Sequence, residues 1–241
     1  MPPLDDAFPS VLTALVDRYG SPARDRDTDR QDSFDATIMA LLGRSLGTAK
    51  GQAAATRLRD EGLLTPARLA EIEMVELRDL LRSELGSVSV KTLWVVKRLA
   101  QWLVDQGRGE NGNALDLTQP SDDLREQLAA IRGISVAAAD ALLLHGFARP
   151  TYSVDRASYR ILIRHGWIDS SATYDEARDL LTGHAWRLSH EDEAEQTVIL
   201  AQLAHGMSKT GREFCRAGGP RCSGCPLEPV LPEGGPSEAE S

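Results

Sequence analysis

The chain has 241 residues and a mass of 26.2 kDa, with 41% hydrophobic and 26% charged residues; that composition suits a soluble globular protein with a sizeable core and excludes wholesale disorder. No apolar run approaches the length of a bilayer crossing, and Met1, Pro2, Pro3, Leu4, Asp5 and Asp6 offer no basic segment ahead of an apolar one, so neither a membrane span nor a secretory signal is expected and a cytoplasmic location follows. The net charge is −9, but residues 1–32 and 228–241 carry −7 of it, and residues 33–227 stand at −2, a balance that neither supports nor excludes nucleic acid.

In chain order, apolar spacing is helical almost throughout. A helix over residues 10–19 comes first. Phe34, Ile38, Leu41, Leu42 and Leu46 share one face behind a possible N-cap, Ser33. Leu69, Ile72, Val75, Leu77 and Leu81 belong to one or two further helices. Val90, Leu93, Val96, Leu99, Trp102 and Leu103 predict a long helix ending near Gly107, and residues 107–120 read as a polar loop. Ser121 is placed as the cap of a helix carrying Leu124, Leu128 and Ile131; Gly133 interrupts, and a second helix runs on from Ser135. An extended piece reaches Val154, Asp155 opens another helix, and helices over 174–181 and 191–205 precede a cysteine-bearing loop. Residues 231–241 are rich in Pro, Gly, Ser and Glu and predict a disordered acidic tail. No strand alternation persists, so the fold class is all-α.

Three places carry chemistry. At Gly133-Ile134-Ser135 two apolar-faced helices meet across a very short turn. Glycine permits a positive φ, and the first amides of the second helix lie at the positive end of its dipole, so such a turn can hold a phosphate without reading sequence. The plain reading is an αα-hairpin with Ser135 as N-cap. Asp155 stands about twenty residues on and opens a helix, a position that capping alone would explain. Cys215, Cys222 and Cys225 are the three cysteines of the chain, clustered within eleven residues, which argues against a disulfide scaffold and for a local metal site. Of 27 basic residues 23 are arginine; arginine suits bidentate phosphate contacts, but nucleotide composition is the preferred explanation of so strong a skew.

The stretch Gly133-Ile134-Ser135, Ala139-Asp140-Ala141-Leu142-Leu143-Leu144, Pro150 and Val154-Asp155-Arg156, with Arg160 and Arg164, resembles the helix-hairpin-helix DNA glycosylase superfamily, most of all the endonuclease III relatives. Ile38-Met39-Ala40-Leu41-Leu42-Gly43-Arg44-Ser45 resembles that family's first barrel helix, and Leu85-Gly86-Ser87-Val88-Ser89-Val90-Lys91 its minor-groove loop. His205 and the Cys215-x6-Cys222-x2-Cys225 spacing resemble its iron–sulfur end.

The resemblance, over about residues 30–230, implies two lobes. One is a helical barrel over 32–150 that ends in the hairpin; the other joins 1–31 to 151–230 and bears the cluster. Damaged double-stranded DNA would lie between them, with Asp155 as the catalytic carboxylate, and with Ser45, Ser87, Lys91, Gly133, Ser135, Ala137, Arg216 and Arg221 at or near DNA. A lone carboxylate suits N-glycosidic cleavage, because it can stabilise the sugar cation or activate water. The family's strand-cleaving lysine is matched here by Ala137, which implies a monofunctional glycosylase of base excision repair. Ser45 and Ser87 stand where relatives carry larger side chains that fill the gap left by a flipped base. The fourth cluster cysteine is matched by Leu231, leaving a [4Fe–4S] cluster with a non-cysteine ligand (Glu228, Glu233 or an external oxygen), a three-iron cluster, a zinc site or no metal; the first is preferred. The resulting expectation is a monomeric, nucleoid-associated hydrolase. The alternatives are a lesion-binding protein with little or no catalysis, a bifunctional glycosylase and AP lyase using another amine, and a general helical interaction domain.

Overall fold

The computed structural model describes residues 4–22, 33–85, 89–109 and 119–237. Ser87 and the neighbouring Gly86 and Val88 lie outside the described residues, as does most of the predicted loop before Pro120. The helices are α1 (Leu4–Tyr19), α2 (Ser33–Leu46), α3 (Thr48–Asp60), α4 (Pro66–Glu71), α5 (Met74–Leu85), α6 (Val90–Asp105), α7 (Ser121–Ala130), α8 (Val136–His145), α9 (Arg156–Arg164), α10 (Tyr174–Leu188) and α11 (Glu193–Glu213). Among the described residues the only strands are β1 (Cys215–Arg216) and β2 (Gly219–Pro220), a two-residue antiparallel pair, so the fold is all-α. No described helix is long and apolar enough to cross a membrane.

The chain divides into two compact units, Met1–Ala23 with Pro150–Ser241, and Arg24–Arg149. In the second, α2, α5, α6, α7 and α8 turn Phe34, Ile38, Leu42, Leu77, Leu93, Leu99, Leu128 and Leu142 into one buried core. Helix α3 is absent from the sequence reading; its contribution is Ala54, Ala55 and Leu58, two small residues and a single large one that give little periodic signal yet bury fully. Small residues also let α2 and α3 cross closely, since a Cβ at Gly51 would lie 2.5 Å from the Gly43 nitrogen. Lys97 reaches from α6 to the end of α4, where its ammonium donates to the Leu69, Ala70 and Ile72 carbonyls, a cation where the helix dipole is negative.

In the first unit α11 is the axis. Gly206 admits α1, because a Cβ there would sit 2.6 Å from Leu15 Cβ, and Gly211 admits α9, with Ala157 Cβ 2.2 Å from the same construction. Phe8, Leu15, Tyr152, Leu162, Leu181, Leu200 and Met207 are buried.

Several boundaries shift from the sequence reading. Helix α1 begins six residues before 10, and α10 and α11 run on to 188 and 213. Pro120, not Ser121, is the N-cap of α7; the Ser121 hydroxyl instead accepts from Arg149 Nε at 3.2 Å. Ser33 is the first residue of α2 and its side chain lies outside the described residues. Residues 231–237, assigned by composition to a disordered tail, carry backbone hydrogen bonds, among them Ser237 N–H to the Arg164 carbonyl at 2.9 Å.

Candidate functional site

The hairpin turn is built by three local choices. Helix α7 ends at Ala130, Gly133 turns the chain at φ +101°, and Ser135, extended at φ −80° and ψ 162°, caps α8 by accepting from Ala138 N–H at 3.2 Å. Glycine is required twice over at 133: a side chain would be strained at that φ, and its Cβ would meet Val95 Cγ2 of α6 at 2.6 Å. Arg98, one turn further along α6, donates from Nη1 to the Arg132 carbonyl at 2.8 Å and ties the helix to the turn.

That packing leaves an open groove of about 590 Å³ on the same unit. Arg44 and Ser45 line it from α2, Lys91, Trp94 and Arg98 from α6, and Arg132, Gly133 and Ser135 from the turn. Four of the described lining residues are cations and none is acidic, in a chain whose net charge is −9. The groove therefore presents a local positive field to an anionic partner. Trp94 is 44% exposed, and the Arg98 guanidinium lies 5.6 Å from its ring centroid.

Asp155, in the other unit, is the N-cap of α9: its Oδ1 accepts from Ser158 N–H at 2.7 Å. Among the described residues Oδ2 has no hydrogen-bond donor, and the carboxylate is half-buried. Behind it Tyr152 is fully buried and shares a 2.8 Å hydrogen bond with Ser158 Oγ; burial first, then the negative charge of Asp155, pushes that phenol well above its ordinary range. Tyr174 closes the other side, with its hydroxyl accepting from Val154 N–H at 3.3 Å. The site is thus one anion held by a helix start on a wall of buried phenol, able to stabilise a cation or orient water and without a proton donor of its own.

Helix α9 carries Arg160 and Arg164 from Asp155 to the cysteines. Arg160 donates to the Cys215 carbonyl, and Arg164 donates to Cys215 Sγ at 3.2 Å and to the Arg216 carbonyl at 2.8 Å. Cys215, Cys222 and Cys225 line one cavity with Arg164, Arg221, Glu228 and Leu231; its free volume, about 20 Å³, is room for one water. Burial pushes the Cys222 and Cys225 thiols up. Among the described residues no three His, Cys, Asp or Glu side chains are gathered as a metal-holding group. Leu231 faces the cavity as hydrocarbon, and Glu228 accepts from Gly224 N–H at 2.9 Å, so a cysteine-only four-iron cluster does not fit this chain.

Of the residues singled out from sequence, Ser45, Lys91, Gly133 and Ser135 meet on the basic groove. Ala137 stands half-buried in the first turn of α8. Arg216 and Arg221 are exposed around the cysteine loop; Arg216 Nε donates to the Arg212 carbonyl, and Arg221 also lines the cavity. His165 is buried and stacked on Trp167, and burial lowers its pKa. Sequence reasoning missed Trp94, Arg98 and Arg132. A signal existed for Trp94: at 100° per residue it falls about 160° from the centre of the apolar face set by Leu93, Val96 and Leu99, too large a hydrophobe for a solvent position.

No family model matches the chain. It is 23% identical over 226 residues, 90% of this chain and 92% of the relative, to a protein of Methanocaldococcus jannaschii named as a DNA repair glycosylase. It is 29% identical to the endonuclease III of Sulfolobus acidocaldarius, covering 79% of this chain and 78% of that one. It is also 26% identical to the thymine/uracil-DNA glycosylase of Pyrobaculum aerophilum, covering 68% and 64%. Among solved structures, an endonuclease III trapped as a covalent intermediate on DNA superposes with a TM-score of 0.66 at 21% identity, covering 95% of this chain and 96% of that one. A thermostable thymine-DNA glycosylase gives a TM-score of 0.61 at 16% identity, covering 94% of each. At those identities the superpositions speak for the fold.

Proposed function

We propose that the chain is a member of the helix-hairpin-helix DNA glycosylase superfamily and, from that premise, a DNA glycosylase of base excision repair which releases a damaged base from double-stranded DNA by hydrolysis. The observation that carries the reading is the carboxylate of Asp155, fixed through Oδ1 at the start of α9 while Oδ2 stays available. As the glycosidic bond lengthens, positive charge grows on the sugar. A held anion stabilises that charge without reorganising, and Oδ2 can take a proton from the attacking water. The hairpin supports the reading from the other unit: the turn at Gly133 and the start of α8 suit a phosphate, and the cations beside them suit its neighbours.

The proposed enzyme is monofunctional. Ala137 supplies no amine, and Lys97 is engaged with three carbonyls. Strand cleavage through a second amine is the competing reading; what favours it is Lys91, exposed on the groove. The proposed cofactor is an iron–sulfur cluster on Cys215, Cys222 and Cys225 with a fourth ligand that is not cysteine. Support for it is the likeness to endonuclease III and the presence of all three cysteines in the lining of one cavity with Arg164 and Arg221. Such a group would organise the loop of Arg216 and Arg221, and no step of the reaction runs through it. The protein is proposed to act as a monomer.

Asp155→Asn is the test, because asparagine caps a helix as well as aspartate and removes only the charge. Base release from a panel of single-lesion duplexes should fall by about 100- to 1000-fold while lesion binding stays near wild type. Wild-type turnover by the variant would sink the assignment, and binding without release by the wild-type protein would favour a lesion-binding role. On the substrate that is cut, the strand should stay intact until alkali is added, and borohydride should trap little protein.

A further inference from the structure

We propose that Trp94 is a stacking platform for an unpaired nucleobase, so that the basic groove holds a locally opened DNA strand rather than plain duplex. The inference rests on the DNA reading above and adds to it a residue and a strand state. Lys91, Trp94 and Arg98 lie three and four residues apart, on one face of α6. The indole is therefore flanked along the helix by two cations, about 10 Å apart at 1.5 Å per residue. Among the described residues lining the groove it is the one aromatic, in company with Arg44 and Arg132 and with no acid.

An exposed tryptophan costs solubility and contributes little to the core, whereas base–aromatic stacking needs a ring at the surface with charge beside it. The ring is also oriented. Arg98 lies over it and is itself tethered to the Arg132 carbonyl, so the indole is presented with one cation already fixed against it.

The test uses the full chain with a labelled 12-nucleotide oligothymidylate, the matching blunt duplex, and the same duplex with one unpaired thymine. Trp94→Ala should weaken the oligothymidylate and the unpaired-base duplex about 5- to 100-fold. It should change the blunt duplex less than about 2-fold, and Trp94→Phe should restore most of the loss. Binding should also quench tryptophan emission in the wild type, and that share of quenching should vanish in Trp94→Phe while the strand remains bound. Equal losses on all three DNAs, or no quenching assigned to Trp94, would mean that the indole only braces Arg98, and the proposal fails. Unchanged binding of every DNA by Trp94→Ala would overturn it while leaving the DNA reading in place. A wild-type protein that binds none of the three would remove the DNA reading itself.

Discussion

Gly211→Ala should disturb the proposed catalytic carboxylate from behind. A Cβ at 211 would lie 2.2 Å from Ala157 Cβ and 3.2 Å from its Cα. Carbon atoms in contact need about 3.5–4.0 Å, so α9 and α11 must separate by roughly 1.3–1.8 Å. Alanine has no side-chain torsion through which to yield, so backbone has to move. Ala157 is two residues after Asp155, in the first turn of α9, so the carboxylate moves with it. Overpacking of this size costs about 1–3 kcal/mol, which lowers the melting temperature of a unit this large by about 4–15 °C. Displacing a reacting group by about 1 Å costs about 100-fold in rate. Single-turnover base release and a circular-dichroism melt read the two effects separately. Ala157→Gly in the same chain removes the clashing methyl and should return most of the rate, less about 1 kcal/mol for glycine in a helix. A Gly211→Ala protein with wild-type melt and turnover, or a double variant no better than the single one, would refute the account.

Gly133→Ala places a side chain at φ +101° and against Val95, at a cost of about 1–3 kcal/mol, and should weaken all duplexes alike; a loss confined to one lesion would mean that the turn reads the base. His184 lies stacked on Phe8, with Arg187 Nη2 2.9 Å and Asp5 Oδ1 3.3 Å from Nδ1; burial first, and Arg187 next, lower its pKa against the opposing pull of Asp5. Its folded pKa is below its unfolded one, so the stability it confers is complete above an ordinary histidine pKa near 6.5 and is lost as pH falls through the folded value. The melting temperature of the wild type should therefore drop more between pH 7.5 and 5 than that of His184→Gln, and identical pH profiles would contradict this. Protein purified without oxygen should contain iron and sulfide, and Cys222→Ser should lose them; a folded, active and iron-free wild type would remove the cluster.

The hairpin and the Asp155 helix were legible in the sequence because each boundary is written by a local rule: a glycine at a turn, and Ser135 and Asp155 as side-chain caps. The same rule failed at Ser121, where Arg149, 28 residues on, competes for the hydroxyl. The groove was legible only in part: Ser45, Lys91, Gly133 and Ser135 were placed near DNA, whereas Arg44, Arg98 and Arg132 come from α2, α6 and the turn and each alone looks like a solvated surface residue. Gly211 in the last turn of α11 reads from sequence as a helix-ending residue; its reason, the Ala157 methyl on another helix, appears only in three dimensions. The reach of Arg164 to Cys215 spans 51 residues and carries no sequence signal.

The arginine bias of the groove has a chemical consequence for the proposed reaction. Removing a base leaves a sugar that opens to an aldehyde, and aldehydes condense with neutral amines. A guanidinium offers no free amine for imine formation, so Arg44, Arg98 and Arg132 would contact this product without being trapped on it. Lys91 is the one amine among the described residues lining the groove. Under the proposed function, those three arginines would be inert toward the abasic aldehyde, and Lys91 would be the one position among the described lining residues where covalent self-inactivation could begin.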